Sequence, residues 1–206
     1  MDEHSPGLLP EPAIFSNEAE ADSCDCDGEC CHEHTVLLTH HDVRRILQGV
    51  DIDPRELVVF FRAREGYVDL EVLGGYPAIL MEGEACYMGL RFVVDDQDTR
   101  RHCRFLDHAT NRCGIHAFKP MVCRAYPFLI LDGRITRHKK IRCKHPFHPR
   151  TNQAIASLRM IIQEAYREFE EFKGEVTRWN GSTMDDSFNA FFREFIETDR
   201  TGAVPP

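Results

Sequence analysis

Eight of the nine cysteines in this chain of 206 residues fall into two sets. The first is the run Cys24-Asp25-Cys26-Asp27-Gly28-Glu29-Cys30-Cys31, four thiols within eight residues. The second is Cys103, Cys113, Cys123 and Cys143, spread along a basic stretch. Thiols this dense are oxidised to disulfides, ligated to metal or kept reduced for chemistry. Four thiolates complete a tetrahedral zinc site or a cubane iron–sulfur cluster, and eight complete two such centres. Carboxylates beside Cys24 to Cys31 raise thiol pKa values, so these cysteines suit cation capture better than free nucleophilic attack. Adjacent Cys30 and Cys31 are expected to diverge and to serve two metals, or one metal and the packing. Spacing alone separates neither zinc from iron–sulfur.

Histidines are a second source of ligands. His32, His34, His40 and His41 crowd the first set, and His145 and His148 follow Cys143. They stand as alternative ligands, with His41 also readable as an ordinary helix residue. Cys86, in Gly83-Glu84-Ala85-Cys86, is read as a buried free cysteine.

Composition argues for reduced thiols. The start, MDEHSPGLLPEPAIFSNEAEADS, is acidic and lacks the basic n-region and apolar core of a secretory signal. No apolar run approaches the ~20 residues that span a bilayer. A cytoplasmic protein without membrane contact is the expectation, and the odd cysteine count weighs against a complete disulfide framework. The net charge of −9 is unevenly placed. Between Arg100 and Lys144 there are twelve Lys and Arg against Asp107 and Asp132, a local net of +10. That stretch can attract the acidic arm or neutralise a thiolate-bound metal. Nucleic-acid binding ranks last, because few aromatic residues are placed for base stacking.

The elements that must position these residues can be read along the chain. Residues 1–22 form an acidic, proline-bearing arm expected to be disordered. Thr39 with Asp42 three positions on predicts a capped helix ending at Gly49, with Val43, Ile46 and Leu47 on one face. Asp53-Pro54 starts another, with Leu57, Val58, Phe60 and Phe61 behind it. Tyr67 to Leu73 alternates like a strand, Gly74 to Pro77 reads as a turn, and Leu90 to Val94 as a second strand. Phe128 to Leu131 and Ile135 to Arg137 flank the turn Asp132-Gly133. From Thr151 a helical stripe runs through Ile155, Leu158, Ile162, Phe169 and Phe172, with Gly174 as terminator. Phe188, Phe191, Phe192, Phe195 and Ile196 mark a last amphipathic helix, whose stripe reads first as a core face. The fold class expected is α+β: a small, metal-organised, loop-rich cysteine module with short strands, followed by two C-terminal helices. The division is 23–148 for the metal-binding domain, 149–198 for a helical part packed on it, and 199–206 for a loose tail.

Two stretches go beyond cysteine counting. One is Cys103-Arg104-Phe105-Leu106-Asp107 followed by Cys113-Gly114-Ile115-His116. The other is Lys119-Pro120-Met121-Val122-Cys123-Arg124-Ala125-Tyr126-Pro127-Phe128. With the Cys30-Cys31 pair, these resemble the YkgJ-type cysteine-cluster family of zinc- or iron-chelating proteins, over roughly residues 24 to 145. The family pattern is a CxxCxxCC-like opening, C-x-F-L-D, C-x-I-Y and R-P-x-x-C-R-x-x-P-F. Here the opening is C-x-C-x-x-x-C-C, His116 replaces a tyrosine and offers a nitrogen, and Lys119 replaces an arginine. The resemblance implies metal ligation by Cys24, Cys26, Cys30, Cys31, Cys103, Cys113, Cys123 and Cys143. Arg124 then faces a sulfur, the bound cofactor or a carboxylate. Pro120 and Pro127 fix turns around Cys123, and Phe105, Leu106, Phe118 and Phe128 cover the site.

The function this favours is a metal-binding protein with one or two cysteine-ligated centres, holding zinc or an iron–sulfur cluster, in a structural or electron-transfer role. The metal ion is its first partner, with room for a protein partner. Metal removal is expected to unfold residues 24–145, where little apolar core would remain. One alternative is metal storage or delivery, favoured by the acidic cysteine arm. Another is enzymatic: flagellin lysine N-methylases are similar in carrying this kind of module, which implies a protein-lysine N-methyltransferase-like activity. No glycine-rich cofactor loop supports it, since Gly74-Gly75 is a lone turn.

Overall fold

The computed structural model describes residues 28–32, 35–62, 75–94, 101–138, 141, 149–182 and 185–197. It shows an α+β fold of short antiparallel strands and helices. The expected strand at Tyr67 to Leu73 lies outside the described residues, as does the expected arm.

The first helix, α1 (His40–Gly49), opens where the sequence placed it. The Thr39 hydroxyl accepts from the Asp42 backbone N–H, and the Asp42 carboxylate accepts from that of Thr39. This reciprocal capping satisfies two donors that a helix start otherwise leaves open. Val43 and Ile46 are fully buried on its inner face.

Helix α2 (Pro54–Leu57) is a single turn capped by the Asp53 side chain. The chain then becomes strand β1 (Val58–Arg62) instead of continuing as a helix. Two adjacent β-branched valines and two phenylalanines suit a pleated, half-buried surface. The longer strand β3 (Glu84–Leu90) supplies that surface, pairing Val58 with Leu90 and Arg62 with Cys86. Its hairpin partner β2 (Ile79–Met81) turns at Glu82 and Gly83, both at positive φ. The sheet order is β1-β3-β2. Leu90 closes β3, and Phe92–Val94 is a separate strand, β4, with Arg91 as the break between them. Arg91 donates its guanidinium to the carbonyls of Arg55, Glu56 and Val58, which ties the break to the α2–β1 corner.

Three small ladders follow. Strand β5 (Arg101–Cys103) pairs with β4, and β6 (Leu106–Asp107) with β7 (Arg112–Cys113). Helix α3 (Met121–Ala125) then leads into the hairpin of β8 (Phe128–Leu131) and β9 (Arg134–Arg137). Asp132 and Gly133 turn it with φ of 50° and 74°, the geometry of a two-residue hairpin loop.

Helix α4 runs from Asn152 to Asn180 and passes through Gly174, where the sequence suggested a stop. The apolar stripe explains the difference. Phe172, Val176 and Trp179 continue it into the core, and their burial outweighs the ~1 kcal/mol that an interior glycine costs. At its end the Trp179 indole N–H donates to the Leu80 carbonyl at 2.8 Å. Asn180 accepts from Leu80 N–H and donates to the Ala78 carbonyl, so the helix end is stitched to β2. Helix α5 (Phe188–Phe192), capped by Ser187, continues as a π-type turn over Arg193–Glu197. Asp186, just before it, accepts from the backbone N–H groups of Glu82 and Gly83 at the β2–β3 turn.

The main core joins Leu38, Val43, Ile46, Leu57, Ile79, Met88 and Ile115 to Phe172, Trp179, Phe191 and Phe195. Residues 24–145 therefore contribute much apolar core of their own, contrary to the expectation of a region held up by metal alone. Cys86 lies in this core, buried and without a disulfide. A second cluster packs Ala125, Phe128 and Ile135 against Leu158 and Ile162 near the start of α4.

Gly174 offers a clean test of the helix. Nothing lies within 4 Å of the place a Cβ would occupy there. Gly174→Ala is expected to stabilise the protein by about 0.5–1 kcal/mol in denaturant unfolding, through restored helix propensity.

Candidate metal centre

The first cysteines described follow a glycine that the packing requires. Gly28 has φ 74°, and a Cβ there would stand 2.3 Å from the Asn111 carbonyl oxygen. This close approach lays the 3₁₀ turn Glu29–Cys31 against the loop that precedes β7. His32 then forms an antiparallel bridge with His102 of β5. Antiparallel pairing continued one residue outward sets Cys31 opposite Cys103. Cys113 arrives by the β6–β7 ladder, paired with Leu106, while Gly114 N–H donates to the Phe105 carbonyl at 2.7 Å. Register thus delivers three sulfurs to one place.

The contacts follow. The Cys31 thiol is in hydrogen-bond contact with the sulfurs of Cys103, Cys113 and Cys30. Cys30 and Cys31 therefore do not diverge, because the 3₁₀ turn tucks both against the incoming strands. Cys123, on α3, lies within electrostatic reach of Cys30, Cys103 and Cys113. None of these five cysteines forms a disulfide. Cys24, Cys26 and Cys143 lie outside the described residues, with His34, His145 and His148. Among the described residues, no group of three or more His, Cys, Asp or Glu side chains is spaced to hold a metal ion. The sulfurs are gathered in mutual contact.

Crowding divides their ionisation. Contact with the sulfurs of Cys103, Cys113 and Cys30, together with burial, pushes the Cys31 thiol far above the ordinary thiol range. The same contact lowers Cys103, since the Cys31 S–H can donate to a Cys103 thiolate. Burial raises Cys123, and so do the negative charges that Cys30, Cys103 and Asp42 would carry. Several thiolates cannot ionise together here unless a cation joins them.

Helix α3 is placed by one buried carboxylate. Asp42, 3% exposed, accepts at Oδ1 from Met121 N–H at 2.8 Å and from Arg45 Nη1 at 2.6 Å. Its Oδ2 accepts from Thr39 N–H and the Thr39 hydroxyl, both at 3.0 Å. Arg45 spans from Asp42 to Glu168 on α4, and His41 Nε2 lies 2.9 Å from Glu171. The capping role of Asp42 was visible in the sequence. Its bond to Met121, 79 residues on, carried no sequence signal.

The other sequence-predicted residues sit as follows. Arg124 donates from Nε to the Lys119 carbonyl at 3.2 Å and from Nη2 to that of Ala117 at 2.6 Å, holding the loop before α3. His116 is exposed, its Nε2 3.2 Å from Lys119 Nζ. Partial burial and the charges of Lys119 and Arg124 lower its pKa. Pro120 occupies the position before the first turn of α3, and Pro127 follows a cis bond after Tyr126. The four residues expected to cover the site divide instead. Leu106 is buried and Phe105 joins the main core, Phe118 lies against Gly49 at the end of α1, and Phe128 belongs to the second cluster. His40 is buried between His41, Phe172 and Phe195, with Nδ1 unpartnered. Burial, then the charges of His41 and Arg44, lowers its pKa to about 3.

An α+β scaffold that draws thiols from distant segments together defines a cysteine-cluster protein. The chain belongs to the CxxCxxCC family, described as a putative zinc- or iron-chelating domain, whose model matches residues 22–155. Membership assigns zinc- or iron-type metal binding to the chain. Comparisons with curated proteins and with solved structures return no match. Among the described residues, no helix is long and apolar enough to cross a membrane.

Two outcomes follow for the buried polar groups of α1. Asp42→Asn breaks a buried ion pair from one side, with an expected loss of about 3–5 kcal/mol in chemical denaturation. His40 binds a proton near pH 6.5 when unfolded but only near pH 3 when folded. The unfolded state then holds more protons between those values, so stability falls as pH drops through that window, by at most ~1.4 kcal/mol per pH unit. His40→Gln, compared with the parent by denaturation at pH 7 and pH 5, is expected to lose less stability on acidification.

Proposed function

We propose that Cys30, Cys31, Cys103, Cys113 and Cys123, joined by Cys24, Cys26 and Cys143, hold one or two cysteine-ligated centres. The metal is zinc or the iron of an iron–sulfur cluster, and the role is structural or electron transfer. The observation that supports this most is the meeting of sulfurs from a 3₁₀ turn and two strands, with Cys123 of α3 within electrostatic reach and no disulfide among them. The donor set fits: thiolates bind both zinc and iron–sulfur clusters, and their mutual repulsion in a buried place is relieved by a cation. A cluster would supply one-electron transfer, whereas zinc would tie the segments together. Arg124 serves the site by positioning, since it fixes the carbonyls of Ala117 and Lys119 just before the helix that carries Cys123.

Protein purified without oxygen is the test, with a visible spectrum and zinc, iron and sulfide quantified per chain. Matching iron and sulfide with a visible charge-transfer band mean a cluster; a colourless protein with stoichiometric zinc means a zinc centre. Free thiols titrating in full with neither metal present would overturn the reading. Cys103→Ser and Cys113→Ser are expected to lower metal content. Rapid loss to a moderate chelator would favour delivery over a fixed centre. Because the main core is apolar and continuous, chelation is expected to loosen the cysteine segments while most of the far-ultraviolet circular dichroism remains.

A further inference from the structure

Strand β5 has two faces, and only one carries sulfur. Side chains alternate along a strand, so His102 points away from the face that Cys103 presents. On the His102 side, its Nε2 lies 3.0 Å from the Nε2 of His108, with ring centroids 4.4 Å apart and planes at 87°. We propose that His102 and His108 form a second, surface metal site for a divalent cation of borderline softness, such as nickel(II) or zinc, separate from the cysteine centre.

The geometry of the pair supports a chelate. Two nitrogens that are each ~2.1 Å from one ion and about a right angle apart are themselves ~3.0 Å apart. The observed separation therefore requires little movement for both rings to reach one ion. The pair is also held in place. His102 is fixed by two pairings, with Val93 of β4 and with His32. His108 is fixed by the turn after β6, where Asp107 accepts from Ala109 N–H at 2.9 Å and from the Thr110 hydroxyl at 2.7 Å. Preorganised ligands lose less freedom on binding than mobile ones. The site is reachable, since His108 and the neighbouring Val93 are exposed.

Charge adds to it. The Thr110 hydroxyl and the backbone N–H groups of the turn hold Asp107 below the usual carboxylate range, and its negative charge adjoins His108. Directly opposite residues of an antiparallel bridge share a face, which sets His32 on the same side of the ladder as His102. Water fills the rest of the coordination sphere. Imidazole suits nickel, copper and zinc, whereas magnesium and calcium prefer oxygen.

Calorimetric titration of nickel(II) into the metal-loaded protein tests the site while the cysteine ligands are occupied. The expected result is one nickel equivalent per chain beyond the metal already present. His108→Asn, an exposed substitution outside the cysteine cluster, should weaken it about tenfold or more, as should His102→Asn. Zinc and iron content per chain should be unchanged in the His108 variant. Absence of the additional equivalent in the parent protein, or undiminished binding in the His108 variant, would overturn the proposal and show the pair to be a ring-to-ring hydrogen bond. Loss of both the nickel equivalent and the resident metal in His108→Asn would also overturn it, by showing a single site. The cysteine reading fails on resident metal content and this one on the added nickel, so the two failures are distinguishable.

Discussion

A single buried carboxylate, that of Asp42, joins the parts of this molecule that chemistry needs together. It caps its own helix, receives the Arg45 guanidinium that also binds Glu168 on α4, and accepts the first N–H of the helix bearing Cys123. An uncompensated carboxylate at 3% exposure would be expensive, so each of these donors is needed. The result is a joint of three helices at one side chain. Cys123 is held near the other sulfurs by a polar bond deep in the protein, while the strands place Cys103 and Cys113.

The sulfurs are brought together by register. The His32–His102 bridge and the Leu106–Cys113 pair decide which face of each ladder meets the others. A slip of one residue would turn Cys103 outward and His102 inward. The same alternation gives β5 two chemistries, thiol on one side and imidazole on the other.

Local signals carried much of this fold. Thr39 and Asp42 announced α1, Asp132-Gly133 announced its hairpin, and the phenylalanines from 188 to 196 announced the last helix and its core face. Each depends on neighbours within a few residues. Where sequence reading failed, distant partners decided. Val58 to Arg62 became a strand because β3 was available as a partner. Helix α4 passed Gly174 because Trp179 and Asn180 had β2 to hold. The β2–β3 hairpin was missed, although Glu82-Gly83 between apolar residues was its signal. Within the candidate site, the cysteines were legible by count and order. The contact among Cys30, Cys31, Cys103 and Cys113 was not, because it depends on pairing across some seventy residues of chain.

The stitching of α4 to β2 has an optical consequence. Trp179 is the one tryptophan of the chain. Its indole meets Phe191 and Phe195 edge-on and donates to Leu80, at the joint of the long helix, the sheet and the last helix. Intrinsic fluorescence is therefore a gauge of that joint, whereas absorption by thiolate–metal bonds would report on the sulfurs. With metal bound by the cysteines, the molecule would carry two reporters of different regions, and comparing their transitions would reveal whether core and cysteine cluster come apart together or in turn.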